Sequence, residues 1–96
     1  MRLIIRMEAE RNAVEAFEWY ESEREGLGSE FLDEVSDCLT RIENAPLRYP
    51  RVLGDLRRAR PRRFPYGVFF IVRDDSIHVL AIMSLWRNPK RLSNLS

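Results

Sequence analysis

Gly67-Val68-Phe69-Phe70-Ile71-Val72-Arg73-Asp74-Asp75-Ser76-Ile77-His78-Val79-Leu80-Ala81-Ile82-Met83 is the stretch on which the fold turns. Two runs rich in β-branched and aromatic residues, 67–72 and 77–83, flank a short polar break. Asp tolerates positive φ better than most residues, so Asp74-Asp75 reads as the turn of a β-hairpin. Both faces of the hairpin are apolar, which places it in a central, covered part of a sheet.

Working back toward the N-terminus, Leu56 to Arg60 alternates weakly as a strand and is closed by Pro61. Pro46 and Pro50 close the helical region, and Leu47 to Asp55 reads as a loop. Phe31, Leu32, Val35, Leu39 and Ile42 recur at helical spacing, with Glu30, Asp33, Glu34 and Asp37 on the other side. Before them, Ala9, Ala13, Ala16, Phe17 and Tyr20 mark another amphipathic helix with an acidic outer face. Gly26-Leu27-Gly28 ends that helix, and Ser29 is expected to N-cap the next. Helices near 8–25 and 29–44 joined so tightly must form an antiparallel hairpin. Leu3-Ile4-Ile5 supplies an N-terminal strand, while Met83 to Ser96, with Pro89, reads as a strand end and polar tail. The order is β-α-α-β-β-β: an α+β fold, a helical hairpin packed on a small antiparallel sheet. Phe17, Phe31, Val35, Leu39, Ile42, Val68, Phe70, Val79 and Ala81 are its expected core.

Ninety-six residues, 45% hydrophobic and 32% charged, suit one globular domain spanning 1–96 and argue against disorder. No apolar run approaches the ~20 residues of a membrane span, and Met1 to Met7 lacks a signal-peptide layout. Cytoplasmic residence is therefore expected. Cys38 is the only cysteine and His78 the only histidine, which excludes a disulfide framework and a Cys/His zinc site. No cofactor or metal is expected.

Charge is segregated. Residues 1–46 hold five Arg against twelve Asp and Glu, net −7; residues 47–96 hold eleven basic residues against three Asp, net +8. Fifteen of the sixteen basic residues are Arg, which binds phosphate or carboxylate through planar, bidentate contacts. A GC-rich genome would also favour Arg over Lys, although it would not segregate the charge. Arg57, Arg58, Arg60, Arg62 and Arg63 form the dense core of the basic half, with Arg73, Arg87, Lys90 and Arg91 placed to join them. Phe64, Tyr66 and Trp86 lie alongside, a composition suited to RNA or single-stranded nucleic acid. An acidic protein segment would satisfy the same charges, and a charged edge strand that resists aggregation explains them without any ligand. Period 2 puts Arg58 and Arg60 on one side of their strand and Arg57 with Ala59 on the other.

Other chemistry is sparse. The four glycines form no phosphate loop, and no serine sits in a nucleophile elbow. Asp74-Asp75 is better explained as a turn than as a metal site. His78, in phase with Leu80 and Ile82, reads as a packed or edge residue before it reads as a general base. Tyr66, at a strand entrance, reads as a core or rim aromatic.

The chain resembles the RelE/ParE superfamily of bacterial type II toxins, and the ParE-like plasmid-stabilisation branch in particular. The resemblance is carried by Ala13 to Glu21 with Trp19-Tyr20-Glu21, by Gly26-Leu27-Gly28, and by Phe31-Leu32-Asp33-Glu34-Val35 with Ile42. It continues through Pro46, Arg48-Tyr49-Pro50, Arg63-Phe64-Pro65-Tyr66, Val79-Leu80-Ala81 and Arg87-Asn88-Pro89. It implies a helical hairpin on a small antiparallel sheet and a growth-inhibiting toxin neutralised by a cognate antitoxin. ParE-like members poison DNA gyrase; RelE-like members cut mRNA on the ribosome without metal, using basic residues and usually a Tyr or His near the C-terminus. Arg58, Arg60, Arg63 and Arg87 would fill the basic roles of a ribonuclease. Ser84 stands where many relatives have His, and no Tyr follows Tyr66. That departure moves weight from RNA cleavage, where positioned acid–base groups give ~10²–10⁴-fold, toward gyrase. A non-toxic module that only pairs with its antitoxin is the third reading.

Overall fold

A computed structural model of the chain describes residues 1–86; Arg87, Lys90 and Arg91, expected in the basic surface, lie outside the described residues. The first strand, β1, is Arg2–Ile5, and helix α1 follows at once as Met7–Glu23. Ala9 and Ala16 are buried on α1, small residues that let the helix lie close to what it covers. Helix α2, Leu27–Asn44, buries Phe31, Val35, Cys38 and Ile42 at spacings of four, three and four.

The link between the helices is tighter than its sequence suggests. Gly26 takes the left-handed conformation, φ 88°, and Glu21 accepts hydrogen bonds from the backbone N–H of Gly26 and Gly28, each 2.9 Å. A carboxylate from α1 thus satisfies donors at the start of α2, where the helix dipole favours negative charge. Ser29, expected as the N-cap, falls within the first turn instead. Gly28 is needed for contact: a Cβ there would lie 2.7 Å from the Phe17 carbonyl oxygen.

The segment read as a loop contains a 3₁₀ turn, Pro46–Arg48, and a short strand β2, Arg51–Leu53. Gly54, φ 55°, turns β2 back into β3, Leu56–Ala59; β4, Tyr66–Arg73, and β5, Ser76–Ser84, complete the sheet. Asp74 does adopt positive φ, 55°, in the β4–β5 turn. The sheet order is β1-β5-β4-β3-β2, so the hairpin lies inside it. All neighbours are antiparallel except β1 and β5, which run parallel from Arg2 beside Ser76 to Ile5 beside Val79. The sheet is therefore mixed where an antiparallel one was expected. No turn encodes the direction of a strand that reaches its neighbour through two helices.

The helices cover one face. Packed between them and the sheet are Phe31, Val35 and Ile42 of α2 and Val68, Phe70, Ile77, Val79 and Ile82 of the strands. Tyr20, Phe31, Phe64 and Tyr66 form an aromatic group with ring centroids 4.8–6.0 Å apart. Leu39 packs against this core half-buried, as does Ala13. Phe17, also half-buried, serves the helix–helix contact at Gly28.

A β-bulge shapes the other face. Phe69 pairs with Ala81 but Phe70 with Val79, leaving Leu80 as the extra residue. The bulge breaks the expected alternation: Ile82 joins Ile77 and Val79 under the helices, whereas Leu80 and Ala81 pack on the open face. Ala81 is core, as expected, but in a second cluster with Leu56 and Phe69.

Candidate functional site

The open face of the sheet, opposite the helices, collects the side chains that the helical core leaves out. Leu56, Phe69 and Ala81 are buried there, ringed by half-buried Val52, Ile71, Leu80 and Met83. Phe69 is only 3% exposed although no helix covers it. The reason is local. Gly67 has no side chain, and a Cβ there would meet the Phe69 ring at 2.8 and 2.9 Å and the Arg58 Cδ at 3.1 Å. The ring lies across the space that Gly67 leaves, and the aliphatic stem of Arg58 lies over the same point. Arg58 and Phe69 are register partners on adjacent strands, which fixes the approach. A long cationic side chain held against apolar ground keeps its charged head toward solvent.

The arginine cluster is divided by its strand and loop. Arg57, one residue before Arg58, pairs with Phe70 and so points to the helix side. Its guanidinium donates to the Tyr49 carbonyl at 2.6 Å and more distantly to that of Leu47, 3.5 Å. It holds the segment before β2 in place. The backbone N–H groups of Arg62 and Arg63 donate to one Glu34 carboxylate oxygen on α2, at 2.9 and 3.1 Å. Arg63 also pairs with Glu30 at 2.9 Å and stands 5.3 Å from the centre of the Phe64 ring. Hydrogen bonds from Arg63 and then Arg24 hold the Glu30 carboxyl below its ordinary value of 4.5. Arg73 and Arg51 share Asp55, at 3.3 and 3.9 Å. Arg58, Arg60 and Arg62 make no ion pair among the described residues. They are the members of the cluster with charge to offer a partner.

Other candidates take structural places. His78 lies on the open face in the row Ile4–His78–Ile71, its Nδ1 3.5 Å from the Arg6 guanidinium. Tyr66 stands in the aromatic group, 5.0 Å from Phe31 by ring centres. Burial, with the neighbouring Tyr66, pushes the Tyr20 hydroxyl above its usual pKa. Burial also pushes the Cys38 thiol up to about 11, so it is no nucleophile. Asp74-Asp75 is exposed in its turn. Trp86 is 84% exposed, its backbone N–H donating to the Ser84 Oγ at 3.2 Å. Among the described residues no three His, Cys, Asp or Glu side chains meet where a metal could be held. Nor, among the described residues, is any helix long and apolar enough to cross a membrane.

Sequence reasoning passed over three residues that shape this surface: Gly67, Glu34 and Asn12, whose Oδ1 accepts from the Ile82 N–H at 3.0 Å. A glycine inside a strand signals close approach, so Gly67 could have been found. Glu34 and Asn12 lie on helices among other polar residues and give no such signal.

This is a small two-layer α+β protein; among the described residues no helix covers the second face of its sheet, which is apolar and carries Arg58 over Phe69. The model of the ParE toxin of the type II toxin–antitoxin system parDE matches residues 3–88, and the chain belongs to that family. Among solved structures it is similar to the chromosomal ParDE TA system from P. aeruginosa. That likeness has a TM-score of 0.70 and 18% identity, covering 88% of this chain and 95% of that one. Curated protein sequences give no match.

Proposed function

We propose that this ParE-family toxin arrests growth by binding DNA gyrase through its open sheet face and is held inactive by a cognate antitoxin. The observation that carries the reading is Arg58 laid over Phe69 and Gly67, a fixed cation on apolar ground. Protein interfaces favour that chemistry: an arginine anchored in a desolvated apolar patch. RNA binding draws on many free cations for phosphate contact, whereas here Arg57, Arg63, Arg51 and Arg73 are engaged within the chain. RNA cleavage further needs an acid–base pair, and the histidine of the open face lies against Arg6. Family membership in the ParE group supports the same target.

The test is a supercoiling assay with purified gyrase, run beside mRNA cleavage mapping in induced cells. Inhibited supercoiling is expected with uncut transcripts, and Arg58→Ala should weaken inhibition tenfold or more. Transcript cleavage without gyrase inhibition would replace this reading with the ribonuclease one.

A further inference from the structure

Helix α2 ends on Asn44, and the 3₁₀ turn Pro46–Arg48 follows after a single residue. Between them and Met1 lies a cleft of about 400 Å³, whose walls include Met1, Glu43, Ala45, Pro46, Leu47 and Arg48. Its shape is set by the chain's own bonds. Pro46 opens the turn with a fixed φ, and the Arg48 N–H donates to the Ala45 carbonyl at 3.2 Å. From below, the Arg57 guanidinium donates to the carbonyls of Leu47 and Tyr49. A cleft built before its occupant arrives loses little freedom when it is filled.

The walls of this cleft are left without partners. Leu47 is 63% exposed and Met1 56%, two large apolar side chains on one concave surface. Glu43 and Arg48, both exposed, make no ion pair with each other or with any other described residue. Glu43 lacks a cation where one is most favourable: it sits in the last turn of α2, at the negative end of the helix dipole. Apolar ground bearing one free anion and one free cation is self-complementary. A patch turned through half a circle must meet itself, and this one then sets each charge against its opposite.

We infer that this cleft is the contact between two copies of the chain related by a two-fold axis. Leu47 and Met1 of each copy fill the cleft of the other. Glu43 meets Arg48 of the partner subunit, and the reverse pair forms across the axis. A formal net charge of +1 lets two copies approach without strong repulsion. A strongly acidic or strongly basic segment is a poor occupant, because either one is repelled by one of the two charges. Arg58 and the open sheet face take no part, so the dimer carries two copies of the surface proposed to meet the target.

Sedimentation of the full chain from micromolar to millimolar concentration tests this, and a monomer–dimer equilibrium is expected. Leu47→Asp should raise the dimer Kd tenfold or more, and so should Glu43→Arg and Arg48→Glu taken singly. The two charge changes combined in one chain restore opposite charges across the axis and should bring the Kd back close to the parental one. An equimolar mixture of the two single variants should form a mixed dimer in preference to either alone, because each Arg then faces a Glu. All three positions are exposed, so circular dichroism should be unchanged in every variant. A chain that is monomeric throughout overturns the inference. So does parental self-association in Leu47→Asp, or a double charge swap that restores nothing. If the chain stays monomeric while Leu47→Asp weakens its complex with the antitoxin, the cleft belongs to that partner and the second copy is ruled out.

Discussion

A methyl group on Gly67 has nowhere to go. It would meet the Phe69 ring at 2.8 Å and the Arg58 stem at 3.1 Å, and the ring cannot retreat through a sheet. Gly67→Ala should therefore cost about 1–3 kcal/mol in denaturant unfolding, as overpacking does. It should also weaken toxicity, because the displaced stem belongs to the arginine proposed to meet the target. Cys38 gives a second test at this scale. Its thiol is raised from 9.0 to about 11 by burial, so the folded state disfavours the thiolate. Stability from this group is full below the unfolded pKa and is lost as pH rises from near 9 toward 11. Cys38→Val should flatten that alkaline decline in unfolding titrations. Iodoacetamide at pH 8 should label the native chain only after denaturant is added.

At the scale of elements, sequence periodicity located both helices and the β3, β4 and β5 strands because each carries a repeating apolar signal. It missed β2, three residues with Arg51 at one end, whose formation depends on a neighbour more than on its composition. The bulge at Leu80 was equally silent, since Val79-Leu80-Ala81-Ile82 is apolar throughout and either phase fits it. The site was legible to the same extent. Period 2 separated Arg57 from Arg58 correctly, but which arginines are occupied depends on Glu30, Glu34 and Asp55, distant residues with no pattern in common. Glu34 is the most telling of these, because one of its oxygens fastens the loop before β4 to α2. Glu34→Ala should speed amide exchange at Arg62 and Arg63 and lower stability by about 1–3 kcal/mol, the range for a lost hydrogen bond to a charged group. Exchange at those amides unchanged from the parent would show that the loop is held by other means.

Over the whole molecule, acidic residues gather on the helices and the free arginines on or beside the sheet, so the two layers carry opposite charge. A partner bound to the sheet side through cations should associate faster at low salt, with the on-rate falling as ionic strength rises toward 0.5 M while dissociation changes less. Stopped-flow association with gyrase measures both rates. The parallel pairing of β1 with β5 has a further consequence, for the order of events during synthesis. Leu3 lies beside Ile77. The first strand to leave the ribosome must wait for the last, and this long-range closure is the slow kind. The two helices and the β2–β3 hairpin can form while the chain is still tethered, but the sheet that carries Arg58 is complete only after β5 has emerged. A nascent toxin therefore passes most of its synthesis without the surface proposed to meet its target, which gives an antitoxin already present in the cell time to meet it at birth.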